Sequence, residues 1–344
     1  MSKWKNFLNK VWSWLKKYPT IITLCILVPS LAYVIRYAAT NEYYYYNYYF
    51  DGEQLDVDEE NFRLTGIKKI ANVYQTSINF SYQGASCYQN YYAICADNFE
   101  AIIIYDTNRM NKGPVHIIET GTVNTDWHCN QMFFGPDFYS AHDKFPLLYI
   151  SMESSKVHST IAFRIYQLGG EYRVAQVQKL TLEFDDDKGP LYFMNSYYDY
   201  EDRTIYYGGY TKNTYMKEAD NFIRFYTFEL PDYRSSEEAL RASESLATFE
   251  LPSETATQGG FISDHHLYQT FSFNSKDNPL RAPKMRVVDL YERKIILDYQ
   301  DLWKDFGVAE EFEHLAVNNE GKLFSVGNPF NIYEFEYTDK IGEL

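Results

Sequence analysis

A unit that recurs along residues 66–344 constrains the fold of this chain more than any other feature. Each copy opens with a polar residue and a small one, enters a strand, turns into a second strand and reaches an aromatic-rich third strand, often ending near an acidic residue. The first copy runs from Gln83-Gly84-Ala85 through YAICA at 92–96, AIIIYD at 101–106 and VHIIET at 115–120. The second opens at His128-Cys129-Asn130 and continues as PLLYIS at 146–151, STIAFRIYQL at 159–168 and VAQVQKLTL at 174–182. The third opens around Phe193-Met194-Asn195, with TIYYGGY at 204–210, FIRFYTFEL at 222–230 and LATFEL at 246–251. The fourth opens at Gln258-Gly259-Gly260, with HLYQTFSF at 266–273, MRVVDL at 285–290 and KIILDY at 294–299. The fifth opens at Glu313-His314-Leu315 and holds only KLFSV at 322–326 and IYEFEY at 332–337.

The openings lie roughly 45 to 67 residues apart. A four-stranded propeller blade takes about 40–50 residues, and longer loops supply the excess. The last copy is short of a strand, while GIKKIANVYQ at 66–75 is a strand without a unit. Pairing the two closes a ring and removes the exposed sheet edges. The sequence therefore predicts an all-β fold: a β-propeller of five blades, closed by an N-terminal strand. The segment Ser235–Ser245 reads as a short insertion.

Composition agrees with sheet. Tyr (34) and Phe (24) are abundant, and aromatic side chains fit pleated, half-buried surfaces. A net charge of −15 argues against a nucleic-acid partner, which needs a basic, phosphate-tracking surface. Cys25 lies in an apolar stretch, and Cys87, Cys95 and Cys129 follow it without metal-ligand spacing. Cys87 and Cys95 fall on one predicted hairpin, which allows a disulfide.

The N-terminal region is built differently. Residues 1–18 hold KWKNFLNKVWSWLKK, with apolar residues at helical spacing and five lysines, as in a basic amphipathic helix on an anionic membrane surface. Residues 19–36 are apolar enough for a transmembrane anchor, and residues 37–65 form a Tyr-rich acidic stalk. The positive-inside rule then places residues 66–344 on the extracytoplasmic side of the membrane. The rival is a signal peptide cleaved near Ala38-Ala39, a poor site because Tyr37 replaces a small residue.

The Gln-Gly openings at 83–84 and 258–259, each followed by a strand, resemble a group of propeller proteins whose blades begin with this pair. The stretch Trp127-His128-Cys129-Asn130, with Asp143-Lys144-Phe145-Pro146-Leu147-Leu148-Tyr149, resembles exported bacterial propeller proteins of unassigned function. The resemblance spans about residues 66–340 and implies a fold rather than a reaction; three of the blades depart from Gln-Gly.

If the units superpose, Gln83, His128, Asn195, Gln258 and His314 converge on one mouth of the central channel, a place for a small ligand. The same polar groups also serve simply to satisfy inner-strand backbone. Asp185-Asp186-Asp187 and the group Asp199, Glu201 and Asp202 read as acidic turns, and His265-His266 as a turn whose two imidazoles point apart. Nucleophile elbows, phosphate loops and dinucleotide fingerprints are absent. The expected function is a binding or scaffold module for a protein or carbohydrate partner. The alternative is a glycan-directed hydrolase or lyase with His128 and His314 as its acid and base.

Overall fold

β-branched and aromatic residues are frequent in the predicted strands, and in the computed structural model nearly all of these strands form ladders. The structure describes residues 17, 62–74, 81–121, 128–153, 158–212, 222–253, 257–271, 283–327 and 330–338. The chain divides into two units, Met1–Phe50 and Asp51–Leu344. Of the first unit only Lys17 is described, so the basic segment and the anchor lie outside the described residues, as does nearly all of the stalk. Among the described residues no helix is long and apolar enough to cross a membrane.

The second unit begins with β1 (Leu64–Asn72). Blade 1 holds β2 (Tyr82–Tyr88), β3 (Tyr91–Ala96), β4 (Ala101–Asp106) and β5 (His116–Glu119). Blade 2 holds β6 (His128–Phe134), β7 (Leu148–Glu153), β8 (His158–Leu168) and β9 (Glu171–Glu183). Blade 3 holds β10 (Tyr192–Asp199), β11 (Thr204–Tyr210) and β12 (Phe222–Glu229); β13 (Glu237–Arg241) then leaves it before β14 (Ala247–Pro252) completes it. Blade 4 holds β15 (Thr257–Ser263), β16 (His266–Phe271), β17 (Lys284–Asp289) and β18 (Lys294–Asp301). Blade 5 holds β19 (Ala316–Val317), β20 (Leu323–Gly327) and β21 (Asn331–Tyr337), and β1 supplies its outer strand in antiparallel register, Ile67 opposite Phe335.

Side-chain alternation explains how the blades stack. In β4, Ile102 and Ile104 pack towards blade 2, while Ile103 and Tyr105 pack towards blade 5. In β3, Ala93 and Cys95 take the first direction and Tyr92, Ile94 and Ala96 the second. A strand buried on both faces needs an unbroken apolar run, which is what AIIIY at 101–105 provides, every residue at 0 % exposure. Five apolar clusters result, one at each junction: blades 1 and 2, 2 and 3, 3 and 4, 4 and 5, and 5 and 1. Five junctions for five blades close the ring. The fold is a five-bladed β-propeller.

Each first strand lies innermost, against the first strands of its neighbours. Each also carries one extra residue against its partner strand near its start: Tyr82 to Ala85 against Ala96 to Ile94, Cys129 to Gln131 against Met152 to Ser151, and the same in the other three. The two Gln-Gly openings sit in such bulges, and their glycines permit close approach. A Cβ on Gly84 would lie 2.9 Å from the Gln131 backbone of blade 2, and one on Gly259 would lie 2.7 Å from the Glu313 carbonyl of blade 5. The Gly half of the motif is thus explained by blade packing.

Ser235–Ser245 proves to be more than an insertion. It contains β13 and a 3-10 turn at Ala242–Glu244, and β13 pairs in parallel with β9 as a fifth strand of blade 2. Its Leu240 and Ala242 are buried, and its backbone covers part of the β9 edge that blade 2 would otherwise expose. The disulfide allowed by sequence does not form, because Cys87 faces Tyr92 in the ladder and Cys95 lies three residues further on; Cys87, Cys95 and Cys129 are all free.

Candidate functional site

At the starts of the inner strands the five sequence-predicted positions make polar contacts in two groups, one holding Gln83, His128 and His314 and the other Asn195 and Gln258. Gln83 Nε2 donates to Ser81 Oγ at 3.4 Å, and Ser81 Oγ donates to Asp97 at 3.3 Å. Asp97 forms an ion pair with His128 Nδ1. Gln258 Nε2 donates to Glu311 at 2.6 Å, and Asn195 Nδ2 donates to the Gln258 carbonyl at 3.1 Å. Burial raises the Glu311 pKa, with the nearby His128 opposing the shift. His314 Nδ1 lies 2.7 Å from the Gln83 carbonyl. A carbonyl only accepts, so Nδ1 carries the proton and Nε2 accepts from the Tyr92 hydroxyl at 2.5 Å.

These positions differ in what they offer a ligand. Gln83, Asn195 and His314 are buried, with His314 at 0 % exposure. Burial depresses the His314 pKa to about 3, against the opposing hydrogen bond to Gln83. His314 is therefore a neutral imidazole with both nitrogens engaged inside the wall, and it has no path to act as an acid or base on a substrate. His128 is half exposed, and Gln258 is partly buried.

The axis itself is bridged further along. The Gln131 carboxamide, 1 % exposed, donates to the Gly260 carbonyl and accepts from the Gly260 N–H at 3.1 Å. This pair joins the inner strands of blades 2 and 4. Beyond it, towards the far ends of the inner strands, lies a cavity of about 390 Å³. Every inner strand contributes to its wall, among them Ser86, Gln131, Tyr198, Phe261 and Ala316. Tyr200 and Glu201, on the β10–β11 turn, complete it. The lining is mainly apolar and aromatic with a few polar groups, the usual make-up of a small-ligand pocket. Sequence reasoning placed the site at the other end of the same strands. The cavity is made by the spacing of five strands, and the local signal for it was the aromatic-acidic run Tyr197-Tyr198-Asp199-Tyr200-Glu201.

Beside the cavity, the β10–β11 and β15–β16 turns bring Asp199, Asp202 and His265 together. His265 Nδ1 lies 3.0 Å from Asp199 and 3.4 Å from Asp202. Partial burial opposes the charged imidazole, but Asp199, Asp202 and Glu201 outweigh it and raise the His265 pKa. Glu201 is raised as well, first by burial and then by its hydrogen bond to Asp199. Asp264 and His265 both adopt left-handed backbone, which a tight two-residue hairpin requires. His266 instead contacts the Asp264 carbonyl at 2.6 Å, so the adjacent histidines serve different partners. The Asp185–Asp187 turn likewise disperses: Asp185 accepts from Ser243 at 2.7 Å and Asp186 from Tyr226 at 2.6 Å.

No family model matches the chain, and no curated protein matches it. Among solved structures it is similar to a glucose dehydrogenase, with 8 % identity over 78 % of this chain and 99 % of that one, at a TM-score of 0.44. It is similar to the glutaminyl cyclase of Myxococcus xanthus at 10 % identity, 79 % and 96 % coverage and a TM-score of 0.45. It is also similar to the soluble aldose sugar dehydrogenase of Escherichia coli at 7 % identity, 79 % and 99 % coverage and a TM-score of 0.44. Likenesses at this level carry no argument about activity, and the blade count rests on the sheet topology and junctions of this chain.

Proposed function

We propose that the chain is a binding module. Residues 19–36 anchor it in the inner membrane of a bacterium, and the propeller stands on the extracytoplasmic side. It takes a carbohydrate, or a side chain of a protein partner, into the axial cavity. The observation that carries this reading is the cavity of about 390 Å³ with wall residues from all five blades. Its volume falls within the range of small-molecule sites, and its floor is the closed Gln131–Gly260 pair rather than an open pore. A plugged axis with a one-sided recess suits capture more than passage. The buried, neutral His314 lends no support to acid/base chemistry at the opposite mouth.

The test fills the cavity. Ser86 lines it and is partly buried, so Ser86→Trp places an indole in the recess. Calorimetric screening of the purified protein against mono- and disaccharides and short peptides is expected to find a ligand that binds wild type and fails to bind this variant. A ligand bound equally by both would put the site elsewhere on the propeller.

A further inference from the structure

The chemistry of the cavity wall restricts what enters it. Among the described residues, Glu201 is the only one lining the cavity that ionises as a carboxylate, and no Lys, Arg or His lines it. Asp199 and Asp202 stand directly behind Glu201. The cations of these turns are engaged by aspartates: His265 by Asp199 and Asp202 at 3.0 and 3.4 Å, and Arg203 by Asp137 at 3.8 Å. Tyr88, Tyr200 and Phe261 supply aromatic rings to the wall; the Tyr200 ring is 37 % exposed, and its hydroxyl is held by the Phe134 carbonyl. The Tyr198 hydroxyl also belongs to the wall, is 2 % exposed, and interacts with the Arg203 side chain.

We propose that the group bound in this cavity is an alkylammonium head, held against the aromatic wall with its charge towards Glu201. This rests on the cavity being the binding site. Aromatic faces attract a desolvated cation, and a carboxylate at the rim adds a charge-assisted contact. The wall residues themselves carry no cation for a carboxylate or phosphate, and the neighbouring Arg203 and His265 are already engaged by aspartates. The ammonium can belong to an amino sugar or to a lysine side chain, since both present the same head.

The experiment compares charged and neutral probes by calorimetry on the purified full chain, with a chelator present to keep metal ions from the Asp199 group. Choline and its uncharged isostere 3,3-dimethylbutan-1-ol have the same shape. Choline is expected to bind at least about tenfold more tightly, the scale of a desolvated cation–π contact. Glu201→Gln, on an exposed turn, is expected to lose most of that preference, whereas Asp187→Asn, on a distant turn, is expected to keep it. Glucosamine and Nα-acetyllysine amide then distinguish the sources: each is expected to exceed its uncharged counterpart, glucose or acetylnorleucine amide, and the tighter of the two identifies the physiological class. Equal binding of choline and the isostere would overturn the proposal. So would glucose binding as well as glucosamine, although the binding-module reading would then survive. If no probe, charged or neutral, is displaced by Ser86→Trp, both readings fall.

Discussion

Removing the His314 imidazole should change how the stability of the propeller depends on pH. His314 is fully buried, and its pKa falls from the ordinary 6.5 to about 3. Below pH 6.5 the unfolded chain takes up a proton that the folded chain refuses until about pH 3. The unfolded state binds more protons across that window, so stability falls as pH falls. At pH 7.5 the contribution is close to nil. At pH 5 the unfolded imidazole is about 1.5 pH units past its midpoint, which corresponds to about 2 kcal/mol. His314→Gln keeps a polar side chain at the position and lacks the titration. Urea unfolding at pH 7.5 and pH 5 should show wild type losing about 2 kcal/mol more than the variant over the same interval, even if the variant is less stable at both. Parallel losses in the two proteins would refute the burial argument, and with it the assignment of His314 to the wall.

Gly260→Ala should destabilise the domain by about 2–3 kcal/mol in the same assay, because its Cβ would lie 2.0 Å from the Tyr268 carbonyl, a backbone atom that cannot yield. Gly169→Ala has open space around it and a φ of +65°, so it should cost only about 1 kcal/mol, and equal costs at the two sites would contradict the close-approach account. Asp143, 3 % exposed, accepts two hydrogen bonds from Arg164 at 2.7 and 2.8 Å; Asp143→Asn should lower stability by about 2 kcal/mol by leaving a cation underneath the β6–β7 loop without its partner. In NMR titration the His265 imidazole should lose its proton above the ordinary histidine midpoint, and Asp199→Asn should bring that midpoint down.

Much of the architecture was legible because β-structure of this kind repeats its local chemistry. Runs such as Ala101–Tyr105, apolar at successive positions, mark strands buried on two faces, and the orphan strand before blade 1 matches the strand missing from blade 5. The register of β1 on β21 follows from that need for closure. Features made by contact between distant blades left no local trace. Gln131 reads as an ordinary strand residue, yet its amide clamps Gly260 across the axis, 129 positions away. Arg286 is entirely buried, donating to the Pro252 carbonyl at 2.5 Å and to Gln269 at 3.1 Å with Phe271 against its face, although the sequence shows only a cation inside the strand MRVVDL. The path of β13 was hidden because it pairs with blade 2 while lying between two strands of blade 3. The candidate site was half legible. Polar residues at the five openings make contacts in two groups, one from His314 through Gln83 towards His128 and one joining Asn195, Gln258 and Glu311, but these largely satisfy the wall, and the recess forms at the opposite ends of the same strands.

Closure of the ring by β1 underlies the blade count, the axial cavity and the proposed site. Lys68 and Glu334 stand directly opposite each other in the β1–β21 ladder. A Lys68→Cys, Glu334→Cys variant, with Cys87, Cys95 and Cys129 replaced by Ser, oxidised gently and digested under non-reducing conditions, tests that pairing by mass spectrometry. A closed propeller predicts a crosslinked peptide joining residues 68 and 334 within one chain, together with a higher unfolding midpoint than the reduced protein. Two thiols that stay apart in the folded monomer, or that link only between chains, would contradict it.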